Sequence, residues 1–162
     1  MPKIRSFTVD HDALDCGMYV SRVDGDIVTY DLRMRRPNNG DYLSDLAMHS
    51  FEHMLATSMR SGDAGDRVVY VGPMGCRTGF YLLMRGSEAQ NAENLAALKT
   101  ALRAILAHEG KMPGSHRREC GNYRCLSVPA AKAEAQRYLA VLDALGDSLS
   151  FAYAGDTDEG GI

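Results

Sequence analysis

The chain has 162 residues, 45% of them hydrophobic and 24% charged, a formal net charge of -3 and a sequence pI near 5.9. That length fits one domain with enough buried apolar surface to fold without disulfide staples, and the weak negative balance excludes a cationic nucleic-acid-binding surface as the default. No apolar run approaches the ~18 residues of a membrane span, and the start MPKIRSFTVDHD lacks the apolar centre of a signal peptide, so a cytoplasmic protein without nucleic-acid or membrane partners is expected.

The first third reads as strands. Residues 3–9 alternate Ile4, Ser6 and Thr8 with Arg5, Phe7 and Val9, residues 17–23 carry Met18, Val20 and Val23, and residues 26–36 carry Ile27, Val28, Tyr30, Leu32 and Met34. Asp24-Gly25 predicts a hairpin turn between the second and third. Pro37-Asn38-Asn39-Gly40 ends the third, because proline cannot donate to a ladder and Asn and Gly suit turn angles. A helix is expected over 45–60, with Ser44 as N-cap and Gly62 just beyond its end. Strands at 67–72 and 78–85 flank a tight turn at Gly72-Pro73-Met74-Gly75. A helix over 88–108 places Leu95, Leu98, Ala101, Leu102, Ile105 and Leu106 on one face. Residues 110–126 have no period and read as a loop. A last helix over 128–145 is capped by Ser127, admits Pro129 in its first turn and stops at Gly146. The Gly- and Asp-rich tail beyond it is expected to be mobile or weakly docked. Segregated hairpins and helices predict an α+β fold, a small antiparallel β-sheet packed against helices in a single domain.

The sharpest chemical signal is His49-Ser50-Phe51-Glu52-His53. Histidines four apart on a helix share a face, so both imidazoles can reach one metal ion, with Glu52 beside them to move protons. The bland alternative is an exposed polar face. Against it, Ala47, Phe51, Met54, Leu55 and Ser58 cluster opposite the stripe of His49, Glu52, His53 and Ala56. A catalytic zinc-type centre normally needs a third protein ligand. Cys76, Cys120, Cys125, His108, His116 and His11 are the candidates, and Cys120 leads Cys125 only narrowly. The four cysteines, Cys16 among them, are expected as thiols, thiolates or metal ligands. Cys76 follows a glycine-flanked turn that can present a thiol at the mouth of a site, and Arg77 or a nearby metal cation favours its thiolate, fit to act as base or nucleophile. An inert, buried Cys76 weighs equally.

Taken together, several segments resemble the S-ribosylhomocysteine lyases, the LuxS family of autoinducer-2 synthases. They are Ser6-Phe7-Thr8-Val9-Asp10-His11, Tyr30-Asp31-Leu32-Arg33, His49-x-x-Glu52-His53, Gly72-Pro73-Met74-Gly75-Cys76-Arg77-Thr78-Gly79-Phe80-Tyr81 and Cys120-Gly121-Asn122-Tyr123. The resemblance runs from residue 3 to about residue 145 and implies a lyase domain over 1–146 with a tail at 147–162. It implies His49, His53 and Cys120 as ligands of one divalent metal per subunit, iron(II) in the native state and zinc(II) as isolated. It implies Glu52 and Cys76 as acid–base catalysts and Ser6, His11 and Arg33 as contacts to the substrate, S-ribosylhomocysteine. It also implies a homodimer with two sites at the subunit interface. Tyr70 stands where the family commonly has an aspartate, and Leu126 near the place of a histidine that commonly follows the Cys-Gly pair. Two rivals are an inverse-zincin metallopeptidase, which would leave Cys76 without a task, and a non-catalytic metal-binding module.

Overall fold

A computed structural model describes residues 4–154, so Lys3 of the expected first strand and residues 155–162 of the expected tail lie outside the described residues. Strands β1 (Gly17–Asp24), β2 (Ile27–Arg33), β3 (Val68–Pro73) and β4 (Gly79–Arg85) form one antiparallel sheet in the order β1-β2-β4-β3. Helices α1 (Asp45–Ser61), α2 (Asn91–Ala107) and α3 (Val128–Leu145) pack against it. The fold is α+β, as expected.

Alternation along the strands decides what each face does. Val28, Tyr30 and Leu32 of β2 stand opposite Met84, Leu82 and Phe80 of β4, and all six are fully buried against the helices. Phe51 of α1 meets Phe80 edge-on, with ring centroids 5.2 Å apart. Truncating such a fully buried ring to Ala costs about 3–5 kcal/mol, so this contact fixes where α1 sits. The other face of β2 carries Thr29, Asp31 and Arg33, which are also buried. Arg33 is paired in register with Gly17 of β1 and Gly79 of β4. A Cβ on Gly79 would come 2.2 Å from the Leu32 carbonyl oxygen, so that position admits only glycine.

Several local expectations change. Residues Arg5–Phe7 form a 3₁₀ turn in place of a strand. A strand needs a neighbour for its ladder, and Ile4 and Phe7 gain no burial there, Phe7 being 70% exposed. The tight turn between β3 and β4 lies after Gly72-Pro73: Arg77 N–H donates to the Met74 carbonyl at 2.9 Å, which puts Gly75 and Cys76 at the corner. The stretch Glu88–Gln90 is a 3₁₀ turn leading into α2, closed by a reciprocal Ser87–Gln90 cap. On α2 the buried stripe takes Asn94, with Leu95 and Leu106 only partly buried. Asn94 earns that place by donating to the Tyr30 hydroxyl at 2.8 Å and accepting from Arg67 at 2.8 Å. On α1, Ser50 and Met59 are buried and Ser58 is half-buried. Residues 110–126 hold no helix or strand, and Ser127 caps α3 by accepting from Ala130 N–H, as expected.

The segment after α3 is docked as far as it is described. Val20 N–H donates to the Phe151 carbonyl at 2.7 Å, and Tyr153 is 7% exposed, stacked on Tyr19 with centroids 5.0 Å apart. The sequence expectation of a weakly held tail fails here because two aromatic residues, Phe151 and Tyr153, give the segment apolar surface to bury.

Burial pushes the phenols of Tyr19, Tyr30, Tyr81, Tyr138 and Tyr153 upward. Their folded values lie above the unfolded one, so the fold favours the protonated form. The stability this contributes is fully present below pH ~10 and is lost as pH rises beyond it. The melting temperature should therefore hold steady to about pH 9 and fall steeply by about pH 11. A Tyr138→Phe variant should fall less over the same range, and an unchanged decline in that variant would contradict the assignment.

Candidate active site

Helix α1 seats Ala47, Ser50, Phe51, Met54, Leu55 and Met59 in the core, which leaves His49, Glu52 and His53 half-buried on the opposite stripe. Loop 110–126 folds over that stripe. The His49 Nδ1–H donates to the Cys125 carbonyl and the His53 Nδ1–H to the Pro113 carbonyl, both at 2.8 Å. Carbonyls only accept, so each bond fixes the tautomer and frees the Nε2 lone pair, the usual outer support of a ligating histidine. Gly114 makes the close pass possible: its φ is +67°, and a Cβ there would come 2.9 Å from His53 Nδ1.

Cys120 Sγ lies 3.3 Å from His49 Nε2 and receives the Asn122 N–H at 3.4 Å. The donor atoms of His49, His53 and Cys120 all fall within 4.8 Å of one another. Tetrahedral coordination with bonds of about 2.0–2.3 Å separates N and S donors by about 3.5 Å, so the spacing suits a zinc-type ion. Two imidazoles and a thiolate also suit iron(II) or zinc(II) in donor chemistry. Of the loop cysteines it is Cys120 that joins the cluster by its sulfur, whereas Cys125 contributes its carbonyl. His108 and His116 bond within their own loops, to the Lys111 carbonyl and the Arg118 N–H. Leu126 packs against the core.

Glu52 has no hydrogen bond or ion pair among the described residues, which leaves its carboxylate available beside the cluster.

A separate cavity of about 320 Å³ gathers Ser6, His11, Arg33 and Cys76, with Tyr81 and Tyr153 in its wall. None of His49, Glu52, His53 and Cys120 lines it. Cys76 is exposed at the corner of the β3–β4 turn, next to Arg77 at φ +60°. Arg77 does not serve the sulfur as expected. It pairs with Asp45 at 3.6 Å, an exposed and weak contact, while its carbonyl accepts from Leu43 N–H. The group at the sulfur is Thr78, whose Oγ1 lies 3.1 Å from Cys76 Sγ. Arg33 donates to that same oxygen at 2.6 Å and grips Asp31 with two further bonds of 3.1 and 2.6 Å. Asp31, Arg33 and Thr78 are 1%, 3% and 2% exposed, so this charge pair is dry. Burial alone would pull the Arg33 guanidinium down, but Asp31 outweighs it and holds the group above its ordinary value. Tyr70 is half exposed on β3, its hydroxyl close over Gly72.

The model of the family described as S-ribosylhomocysteinase (LuxS) matches residues 4–146 of the chain. The chain belongs to the LuxS family. It is 40% identical over 152 residues to a Clostridium acetobutylicum S-ribosylhomocysteine lyase, covering 91% of this chain and 96% of that protein. It is 44% identical to the Clostridium beijerinckii S-ribosylhomocysteine lyase, covering 86% and 90% of the two chains. It is also 44% identical to the Porphyromonas gingivalis S-ribosylhomocysteine lyase over the same shares. Within this LuxS chain, sequence reasoning named Ser6, His11, Arg33 and Cys76, and the structure brings all four to one cavity. It missed Asp31, Thr78 and Tyr153. Asp31 and Thr78 left a trace in the sequence, because Asp31-x-Arg33 sits on one face of a strand and Thr78 is two residues from Cys76. Tyr153, which lies outside the matched span, left none.

Proposed function

We propose that the chain is a carbon–sulfur lyase that cleaves S-ribosyl-L-homocysteine to L-homocysteine and 4,5-dihydroxy-2,3-pentanedione. The observation that carries this reading is the His49–His53–Cys120 cluster, present together with a thiol in a cavity that also gathers Ser6, His11 and Arg33, in a chain of the LuxS family. A divalent ion held by His49, His53 and Cys120, iron(II) in the cell and zinc(II) as isolated, supplies Lewis acidity to a sugar carbonyl.

The chain's own groups then move protons. The Cys76 thiolate takes the proton from the carbon beside the carbonyl and returns it one carbon along, which moves the carbonyl from C1 to C2. Repetition moves it to C3. Removal of the C4 proton then expels the C5 sulfur as homocysteine thiolate, which is reprotonated. Glu52 relays protons among the sugar oxygens and the departing sulfur. Arg33, Ser6 and His11 hold the sugar. Each step is an isomerisation or an elimination, so no net oxidation occurs. The product carries the mark of the route: an aromatic diamine should trap a vicinal dicarbonyl, whereas direct hydrolysis would give ribose and defeat the proposal. A peptidase leaves both Cys76 and the cavity around it without a role.

The working unit of this proposal is a homodimer in the cytoplasm. The metal stripe of α1 faces away from its own core and stays only half-buried under loop 110–126, so it needs a further cover to exclude water. The cavity holding Cys76 lies apart from that stripe, and large apolar side chains stand exposed nearby in sequence, Phe7 before His11 and Tyr42 and Leu46 before His49. A second copy supplies Cys76 and the Ser6–His11 segment to the first copy's metal stripe. Mixing the inactive Cys76→Ala and His49→Ala variants under exchange should restore about a quarter of wild-type turnover, since random pairing makes half the dimers mixed, each with one intact site. No recovery on confirmed exchange, or a fully active monomer in sedimentation, would contradict the shared site.

A further inference from the structure

Among the described residues, Tyr153 is the one in the cavity wall that comes from beyond residue 146, where the family match ends. Its hydroxyl donates to Asp31 Oδ2 at 2.9 Å, the same oxygen that accepts from Arg33 Nη2. Ser21 hydrogen-bonds the phenol in turn. Ser21 is the extra residue of a bulge in β1, between Val20 and Arg22, and is 6% exposed. Bulges of this kind re-aim a side chain next to a site. Burial first, and Asp31 second, push the phenol far up, so Tyr153 stays a proton donor.

The bonds make one chain of contacts. Tyr153 donates to Asp31, Asp31 holds Arg33 by both its oxygens, Arg33 donates to Thr78 Oγ1, and Thr78 touches the Cys76 sulfur. Arg33 cannot accept a hydrogen bond. Its donation therefore occupies one of the two acceptor sites of Thr78, and toward a Cys76 thiolate, which can only accept, Thr78 gives its hydroxyl proton to the sulfur. Register explains why the far end matters. Asp31 stands between Tyr19 and Tyr81 on the neighbouring strands, and Tyr19 stacks on Tyr153. The docked segment thus roofs the carboxylate from which the guanidinium is hung.

We propose that Tyr153 is a positioning residue for Cys76, acting through the Asp31–Arg33 pair and the Thr78 hydroxyl. The C-terminal segment is then part of the reacting machinery and not an appendage. This rests on reading Cys76 as the proton carrier, but the alkylation that tests it does not need the substrate.

The test is Tyr153→Phe, which removes one hydroxyl and keeps the ring and its stack. Site-resolved mass spectrometry follows iodoacetamide alkylation of Cys76 in the metal-loaded protein near neutral pH. The variant should alkylate about tenfold more slowly and show kcat lower by a factor of about 10–100 with KM nearly unchanged. Thr78→Val should slow alkylation at least as much, and adding Tyr153→Phe to it should cost little more, because both act along one path. Wild-type alkylation in Tyr153→Phe would overturn the proposal, even with a lowered melting temperature, since that is what a merely structural role produces. Additive losses in the double variant would overturn it as well. Failure of the lyase reading itself would show differently, as an absence of thiol release with the alkylation pattern intact.

Discussion

Replacing Cys76 by Ala should abolish nearly all homocysteine release while the protein still folds and still binds a divalent metal. The side chain sits exposed at the corner of the β3–β4 turn, with Thr78 as its hydrogen-bond partner and no other described group bonded to it, so its loss opens no cavity in the core. Arg33 and Asp31 keep each other satisfied without it. What disappears is the group proposed to carry a proton between adjacent carbons, and proton transfer by a placed side chain is worth roughly 10²–10⁴-fold in rate. Glu52→Gln should have a loss of the same order for the same reason, and it too should keep its metal. Turnover and metal content measured on the same samples check both variants. A Cys76→Ala protein with near-normal turnover would remove the proposed base. A Cys76→Ala protein without metal would make Cys76 a ligand.

Cys120→Ala should empty the metal centre and take activity with it. Its sulfur is the third member of the cluster that could hold a metal, beside His49 Nε2, and two imidazoles alone would leave such a centre short of the three protein ligands a catalytic site normally has. Cys125→Ala should keep the metal, because residue 125 serves through its backbone carbonyl, which alanine retains. His53 gives a graded check. Gly114→Ala forces a Cβ to within 2.9 Å of His53 Nδ1 at a φ of +67°, so metal affinity should fall although no ligand is changed. Metal analysis after exhaustive dialysis reads all three. Metal kept in Cys120→Ala and lost in Cys125→Ala would reverse the assignment.

How far the sequence carried depended on how local each feature was. His49, Glu52 and His53 could be placed on one stripe because helical geometry fixes i, i+3 and i+4 neighbours whatever the rest of the chain does. The hairpins and the α+β class followed from alternation and turn residues for the same reason. Choosing Cys120 over Cys125 needed the path of an irregular loop. That path is set by contacts far away in sequence, the Pro113 and Cys125 carbonyls on α1. Arg77 looked like the natural neighbour of the Cys76 sulfur, yet its positive φ turns it toward Asp45 and gives the place to Thr78. The stretch around Phe7 alternates like a strand but finds no edge to pair with, and alternation without a partner is no strand. Tyr153 was beyond sequence reasoning altogether. Its hydroxyl meets Asp31 across 122 positions, and only the docking of the last segment on β1 brings them together.

The measurement that bears most directly on the central claim is free-thiol release from S-ribosylhomocysteine by the purified, metal-loaded protein. One thiol should appear per substrate consumed, chelation should stop the release, and restored divalent metal should recover it. Unchanged S-ribosylhomocysteine after incubation with a protein shown to hold one metal per chain would contradict the account.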